Sequence, residues 1–210
     1  KFSKVGSLDF VRRILYQKLN PKYIFVSNNF RFGYKREGDV KLLKVLEKKY
    51  KYKIIKPRPL NKGNKIISST LVRKLLSKGD LKIANKFLNR PWSLEGKVKR
   101  GRKMGKKIGF PTCNIDLADY IIAKNGVYAV RVYLKNRKSY IKGIANLGYR
   151  PTFNQKEILL EVNIFNFSGN LYNKNLRVDF VKFIRKEKKF KGINDLRNQI
   201  KLDLKTAKKS

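Results

Sequence analysis

The 210-residue chain has no histidine, one cysteine, one tryptophan and one methionine, and 14 acidic residues stand against 53 lysines and arginines. Each shortage excludes something. The lone Cys113 excludes an internal disulfide, and without histidine no Cys/His set exists for a structural zinc, so a metal here has to be a hard cation on oxygen ligands. Catalytic proton transfer cannot fall to histidine and is left to the few carboxylates. No run of eighteen uncharged apolar residues occurs. The first thirty residues also lack an apolar stretch followed by a small-residue cleavage site. Neither a membrane span nor a signal peptide is indicated, and a cytoplasmic location is expected.

What is present is a chain that can fold. Apolar residues make up 41% of it, enough for one large core or two modest ones. The formal charge of +39 invites a nucleic-acid reading through phosphate neutralisation. The excess is mostly lysine, however, spread over nearly every segment and accompanied by many Asn and Ile, as a genome-wide codon bias would leave it. Weak polyanion binding at low salt is expected either way, and no specific nucleic-acid partner.

From the amino terminus, Leu8, Val11, Ile14, Leu15 and Leu19 recur with the helical period. Pro21 closes that helix, Tyr23 to Ser27 reads as a short buried strand, and Asn28 to Gly38 as a polar loop. Val40, Leu43 and Leu46 mark a second helix and Tyr52 to Ile55 a second strand. Helix and strand alternate, the pattern of α/β layering on a mainly parallel sheet. After Pro91 the texture changes to short strands separated by turns. Val127 to Leu134 alternates, Lys135 to Lys138 turns the chain, and further strands follow at Tyr140 to Ala145, Ile158 to Phe167 and Leu176 to Ile184. Such spacing suggests a small closed antiparallel barrel. The stripe Ile193, Leu196, Ile200, Leu204 and Ala207 adds a terminal helix to pack on it. Two domains are expected, 1–92 and 93–210.

Three places could carry chemistry. Between Gly96 and Gly109 seven lysines and arginines are interleaved with Gly101 and Gly105. Such a loop suits a polyphosphate, although it matches neither a P-loop nor a dinucleotide fingerprint, and a solvated basic loop would look the same. Behind it, Pro111-Thr112-Cys113-Asn114 puts a hydroxyl and an amide oxygen two residues apart, aimed alike on a strand. They could complete a Mg²⁺ shell beside phosphates, or the segment is a plain turn into a strand. Glu161 interrupts an apolar strand on the face it shares with Leu159, Asn163 and Phe165. It either faces water or takes the proton of an attacking hydroxyl. Ser68-Ser69-Thr70 precedes a helix, where hydroxyls cap free N–H groups or hold a phosphate.

Several segments now fall into one order: Gly105 to Asn114 (Gly-Lys-x-x-Gly-Phe-Pro-Thr-x-Asn), Gly126-Val127-Tyr128, Asn146 to Phe153, Leu160-Glu161-Val162, Leu171-Tyr172 and Phe183-Ile184-Arg185. From Ser93 onward the chain resembles a bacterial riboflavin kinase. Before it, Asn29 to Gly33, Gly38-Asp39-Val40, Ile67 to Arg73 and Arg90-Pro91-Trp92 resemble the FMN adenylyltransferase part of bifunctional FAD synthetases. The resemblance implies a truncated Rossmann-like nucleotidyltransferase part followed by a riboflavin kinase-like barrel with a C-terminal helix. It implies riboflavin, ATP and Mg²⁺ as substrates and cofactor and FMN as product. Thr112 and Asn114 would hold the metal, and Lys103, Gly105, Lys106, Gly109, Pro111, Thr112 and Asn114 the ATP. Glu161 would be the base, and Asn146, Gly148, Arg150 and Arg185 would border the flavin. Ser68, Ser69, Thr70 and Arg73 would form the phosphate motif of the adenylyltransferase.

The chain departs from the pattern in places. It has no histidine for the amino-terminal phosphate motif of that superfamily and starts downstream of where the motif lies, so FAD synthesis is not expected of these residues: either a longer parent supplies the motif, or this part is a relic that supports the kinase. Lys106 replaces an arginine, Asn166 an aspartate and Cys113 an alanine, the last adding a sulfur whose oxidation would inhibit. The competing reading is a basic barrel that binds nucleic acid without catalysis, using Tyr128, Tyr133, Tyr140, Tyr149, Phe165 and Phe167 as a stacking platform.

Overall fold

The computed structural model describes residues 2–27, 29–63, 65–101, 104–117, 120, 123–134, 139–151 and 156–210. They form two compact units, Lys1–Ile67 and Ser68–Ser210.

In the first unit a helical turn, α1 (Ser7–Asp9), runs into a π-helix, Phe10–Leu19, that ends where Asn20 takes a left-handed φ of 41°. Strand β1 (Tyr23–Phe25) follows, then the short antiparallel pair β2 (Arg31–Phe32) and β3 (Gly38–Asp39). Helix α2 (Val40–Tyr50) starts at Asp39, whose carboxylate accepts the Leu42 N–H at 2.9 Å. That backbone hydrogen bond holds the Asp39 carboxyl below its ordinary pKa. Strand β4 (Lys53–Ile55) returns parallel to β1, and β5 (Asn61–Lys62) and β6 (Lys65–Ile66) close a hairpin. The α/β alternation is present. The expectation of a buried first strand is corrected, because Tyr23 and Phe25 are exposed on a sheet of only two strands.

The second unit opens with α3 (Ser69–Lys78) and α4 (Leu81–Leu88). Gly79, at φ 84°, ends α3 by donating its N–H to Leu76 O while Asp80 donates to Leu75 O, a turn that favours glycine. Both helices share one core with the strands of this unit. Leu76, Leu81 and Ala84 are buried in it, and the Asn85 side chain donates to Phe180 O and accepts from the Trp92 N–H. The packing unit thus starts at Ser68, ahead of the change of texture after Pro91.

Six strands close a barrel: β7 (Trp92–Lys99), β8 (Cys113–Asp116), β9 (Gly126–Leu134), β10 (Ser139–Pro151), β11 (Lys156–Ile164) and β12 (Asn175–Arg185). The spatial order is β10-β11-β8-β7-β12-β9, every pairing antiparallel. A short helix, α5 (Met104–Lys107), precedes β8, and α6 (Ile193–Lys208) ends the chain. The turn expected at 135–138 lies outside the described residues. Alternation decides the interior: Tyr128, Val130, Val132 and Leu134 of β9 share one face and point inward with Leu147, Leu160 and Val162. Val127 and Ala129 are buried too, since Ala207 and Leu204 of α6 cover that outer face with Ile144 and Phe165.

This packing removes two members of the expected nucleic-acid platform, while Tyr140 and Tyr149 remain exposed. Tyr128 is fully buried, edge-on to Phe180 and Phe183, and Phe165 lies beside α6, so neither can stack a base. Among the described residues no helix is long and apolar enough to cross a membrane.

Candidate active site

The short helix α5 and the motif behind it form one turn. Phe110 N–H donates to Gly105 O at 2.8 Å and Gly109 N–H to Lys106 O at 3.2 Å, while Gly109 sits at φ 88°. A helix stopped this way needs glycine at that position, and Pro111 then prevents its continuation. The chain leaves the turn as β8, with Thr112 at its threshold. Gly105 lies against Thr112: a Cβ there would meet Thr112 Oγ1 at 3.1 Å and collide with Phe110 O. A Cβ at Gly101 would run into the Asn114 amide. The two glycines therefore let the loop backbone approach the two residues expected to bind metal.

Strand register gathers the rest. Lys99, Asn114, Glu161, Asn146 and Val127 face one another in turn across β7, β8, β11, β10 and β9, and Val127 faces Arg185 on β12. Directly opposed residues share a sheet face. Val98, Ile115, Leu160 and Leu147, one residue along, point inward, so this row points outward. Lys99 is ion-paired with Asp116.

One cavity is walled by this row, and a second adjoins it at Thr112. The larger, about 670 Å³, is mostly apolar-walled, within the usual range of small-molecule sites. Gly105, Thr112, Asn146, Glu161 and Arg185 line it, and α6 supplies Leu196, Ile200 and Leu204. The smaller, about 370 Å³, lies between Pro111–Cys113 and the segment Phe167 to Tyr172. Thr112 lines both.

Of the residues expected at the site, Gly105, Thr112, Asn146, Glu161 and Arg185 come together, and Asn114 adjoins Glu161 by register. Pro111 borders the smaller cavity, and Lys106 and Gly109 are exposed on the turn. Gly148 faces the Glu187 carboxylate, which any side chain at position 148 would strike. Lys103 and the Arg150 side chain lie outside the described residues. Ser69, Thr70 and Arg73 are exposed at the start of α3, and Ser68 Oγ accepts the Leu71 N–H at 3.2 Å as a cap; none lines either cavity.

Arg185 is committed inside the protein. Its Nε and Nη2 donate to the buried carboxylate of Asp203 at 3.0 and 2.7 Å, and Gln199 donates to the same carboxylate. The pair fixes α6 to β12. Sequence reasoning missed Asp203, Glu187 and the role of Asn163, whose Nδ2 donates to Pro111 O at 2.7 Å. Asp203 did leave a signal, a carboxylate on the apolar stripe between Ile200 and Ala207.

Cys113 packs under the motif, its Sγ against Val162 O at 3.4 Å, and burial pushes its thiol up to about 11. At pH 8 roughly one thiol in a thousand is ionised. Labelling by a disulfide reagent is therefore expected to be at least tenfold slower than for a free thiol and to rise with pH beyond 9. Labelling at the free-thiol rate would contradict the burial.

Fold and site define a class: a closed six-stranded barrel with an apolar cavity under its terminal helix and a glycine-bearing turn at the rim. Comparison with known proteins narrows it. The riboflavin kinase family model matches residues 88–210 and the FAD synthetase model residues 1–71. The chain is 42% identical over 211 residues to a bifunctional riboflavin kinase/FMN adenylyltransferase of Buchnera aphidicola, covering 99% of this chain and 67% of that one. To the protein of the same description from Escherichia coli K12 it is 35% identical, covering 99% and 66%. A crystal structure from Streptococcus pneumoniae described as a macrolide-efflux protein superposes with a TM-score of 0.78 at 28% identity, over 99% of this chain and 66% of that one. The chain belongs to the riboflavin kinase family. It spans about two thirds of the length of the curated relatives it matches.

Proposed function

We propose that the chain transfers the γ-phosphoryl group of ATP to the ribityl 5′-hydroxyl of riboflavin, giving FMN and ADP. The observation that carries this is the pair of cavities sharing Thr112, with Glu161 on the wall of the larger. A planar apolar substrate fits the larger cavity, between the barrel face and α6, with Asn146 as a polar anchor. The nucleotide occupies the smaller, its phosphates reaching Thr112 beneath the glycine turn. The two substrates then meet in line at one residue, the positioning that phosphoryl transfer needs most.

Thr112 and Asn114 fit a hard cation, being neutral oxygen donors on one strand face with bare glycine backbone against them. A magnesium ion held by these two residues with the ATP phosphates would balance charge on the transferred group. Glu161 accepts the hydroxyl proton as the ribityl oxygen bonds to the γ-phosphorus and the bond to the β–γ bridging oxygen breaks. Arg185 holds the wall of the flavin cavity through Asp203.

Within this reading the family domains divide at 92/93, with α3 and α4 serving the barrel as packing although they derive from the adenylyltransferase part. Ser68 to Thr70 and Arg73 are assigned to that part's phosphate motif, and the whole operates in the cytoplasm. Without histidine, this chain is not expected to adenylylate FMN. Chromatography after incubation with riboflavin, ATP and Mg²⁺ should show FMN that requires all three additions, and no FAD. Absence of FMN would refute the kinase reading, and FAD would refute the exclusion.

A further inference from the structure

The ladder between β8 and β11 stops one step short of the residue that matters most. Its pairs are Ile115 with Leu160, Asn114 with Glu161 and Cys113 with Val162. The next pair in register would be Thr112 with Asn163, and no backbone pairing forms there. In its place the Asn163 side chain crosses to the neighbouring peptide, Nδ2 donating to Pro111 O at 2.7 Å. That carbonyl shares a rigid peptide plane with the Thr112 N–H. Fixing its direction fixes the plane from which the Thr112 Cα and its hydroxyl-bearing side chain depart. Pro111 has no N–H of its own to anchor the turn. Asn163 also lies two residues along β11 from Glu161, on the same outward face and on the wall of the same cavity.

We propose that Asn163 is a positioning residue for the phosphoryl-transfer site, locking the Pro111-Thr112 peptide to the strand that carries Glu161. This rests on the kinase reading above. That bond extends the tie of the Cys113–Val162 and Asn114–Glu161 pairs to Thr112, so that the metal-binding hydroxyl and the base are held in one frame. Partners of metal ligands commonly set affinity or rate by about tenfold or more.

The test uses the full chain with three substitutions and two binding measurements. Asn163→Leu removes the donor, Asn163→Asp replaces it with a carboxylate facing the Pro111 carbonyl, and Asn163→His restores an N–H. Affinity for Mg²⁺-ADP is measured by calorimetry and affinity for riboflavin by flavin fluorescence; circular dichroism confirms the fold. The Leu and Asp variants are expected to bind Mg²⁺-ADP about tenfold more weakly, with Asp the weaker. Riboflavin affinity should stay within twofold, and the His variant should recover most of the loss. In turnover the same variants should raise KM for Mg²⁺-ATP and leave KM for riboflavin unchanged.

Mg²⁺-ADP affinities within twofold of the parent in both variants would overturn the proposal, as would equal losses for both ligands, the mark of a structural role. A parent chain that binds Mg²⁺-ADP but makes no FMN would refute the kinase reading while the nucleotide affinities still decide the role of Asn163. A parent chain that binds no Mg²⁺-ADP would overturn both.

Discussion

Replacing Glu161 with glutamine is expected to cut FMN formation by roughly a thousandfold, the scale of a lost general base. Riboflavin and Mg²⁺-ADP affinities should stay within about twofold of the parent. The substitution keeps the shape of the side chain and a hydrogen-bonding carbonyl but removes the ability to take a proton. Glu161 stands in the outward row between Asn114 and Asn146, on the wall of a largely apolar cavity and beside the strand carrying the expected metal-binding residues. With no histidine in the chain, no imidazole can stand in for it. Steady-state rates with saturating substrates check this, and turnover within tenfold of the parent would remove Glu161 from proton transfer.

The second large effect concerns stability. Asp203 is 3% exposed and receives the forked guanidinium of Arg185, which a Gln199 donor completes. Asp203→Ala leaves that cation largely buried without its partner, at a cost of about 3 kcal/mol. For a chain of this size the unfolding midpoint should fall by about 6–12 °C. Trp92, the only tryptophan, packs on Phe180 at the barrel wall, so its fluorescence reports barrel unfolding directly. Riboflavin affinity should fall as well, because α6 forms one wall of the cavity. A double change, Arg185→Met with Asp203→Leu, should recover most of the lost stability, since replacing both members of a buried pair by apolar residues is often nearly neutral. A midpoint within 2 °C of the parent for Asp203→Ala would show that α6 is held by its apolar contacts alone.

Much of the barrel was legible because alternation is a direct consequence of the pleat. The alternation from Val127 to Leu134 announces one shared face, and the structure turns its residues Tyr128, Val130, Val132 and Leu134 inward. Their neighbours Val127 and Ala129 gave no sign of their own burial, which depends on α6, some eighty residues distant in sequence. Tyr128 dropped out of the aromatic platform for the same reason: a tyrosine in a strand reads alike whether it faces the core or solvent. On β1, a short apolar strand suggested burial on both faces, yet Tyr23 and Phe25 are exposed on a two-stranded sheet.

The site was legible in its types and not in its ties. Glu161 stood out as a carboxylate in an apolar strand, and the glycine turn with Thr112 and Asn114 as oxygen donors behind a basic loop. Which strands carry them side by side is a matter of register, and the closure β7-β8-β11-β10 pairs residues as far apart in sequence as Cys113 and Val162. Asn163 and Asp203 act through partners on other elements, Pro111 and Arg185, and a single sequence does not print partners. Asp203 came nearest to being found, as the one acid on the buried stripe of α6.

Labelled ATP tests the central claim most directly. The chain is incubated with riboflavin, Mg²⁺ and ATP carrying label either at the γ- or at the α-phosphorus, and the flavins are separated. Label from the γ-position alone, recovered in FMN, is the predicted result. No label in FMN from the γ-position, or label from the α-position in any flavin, would contradict it.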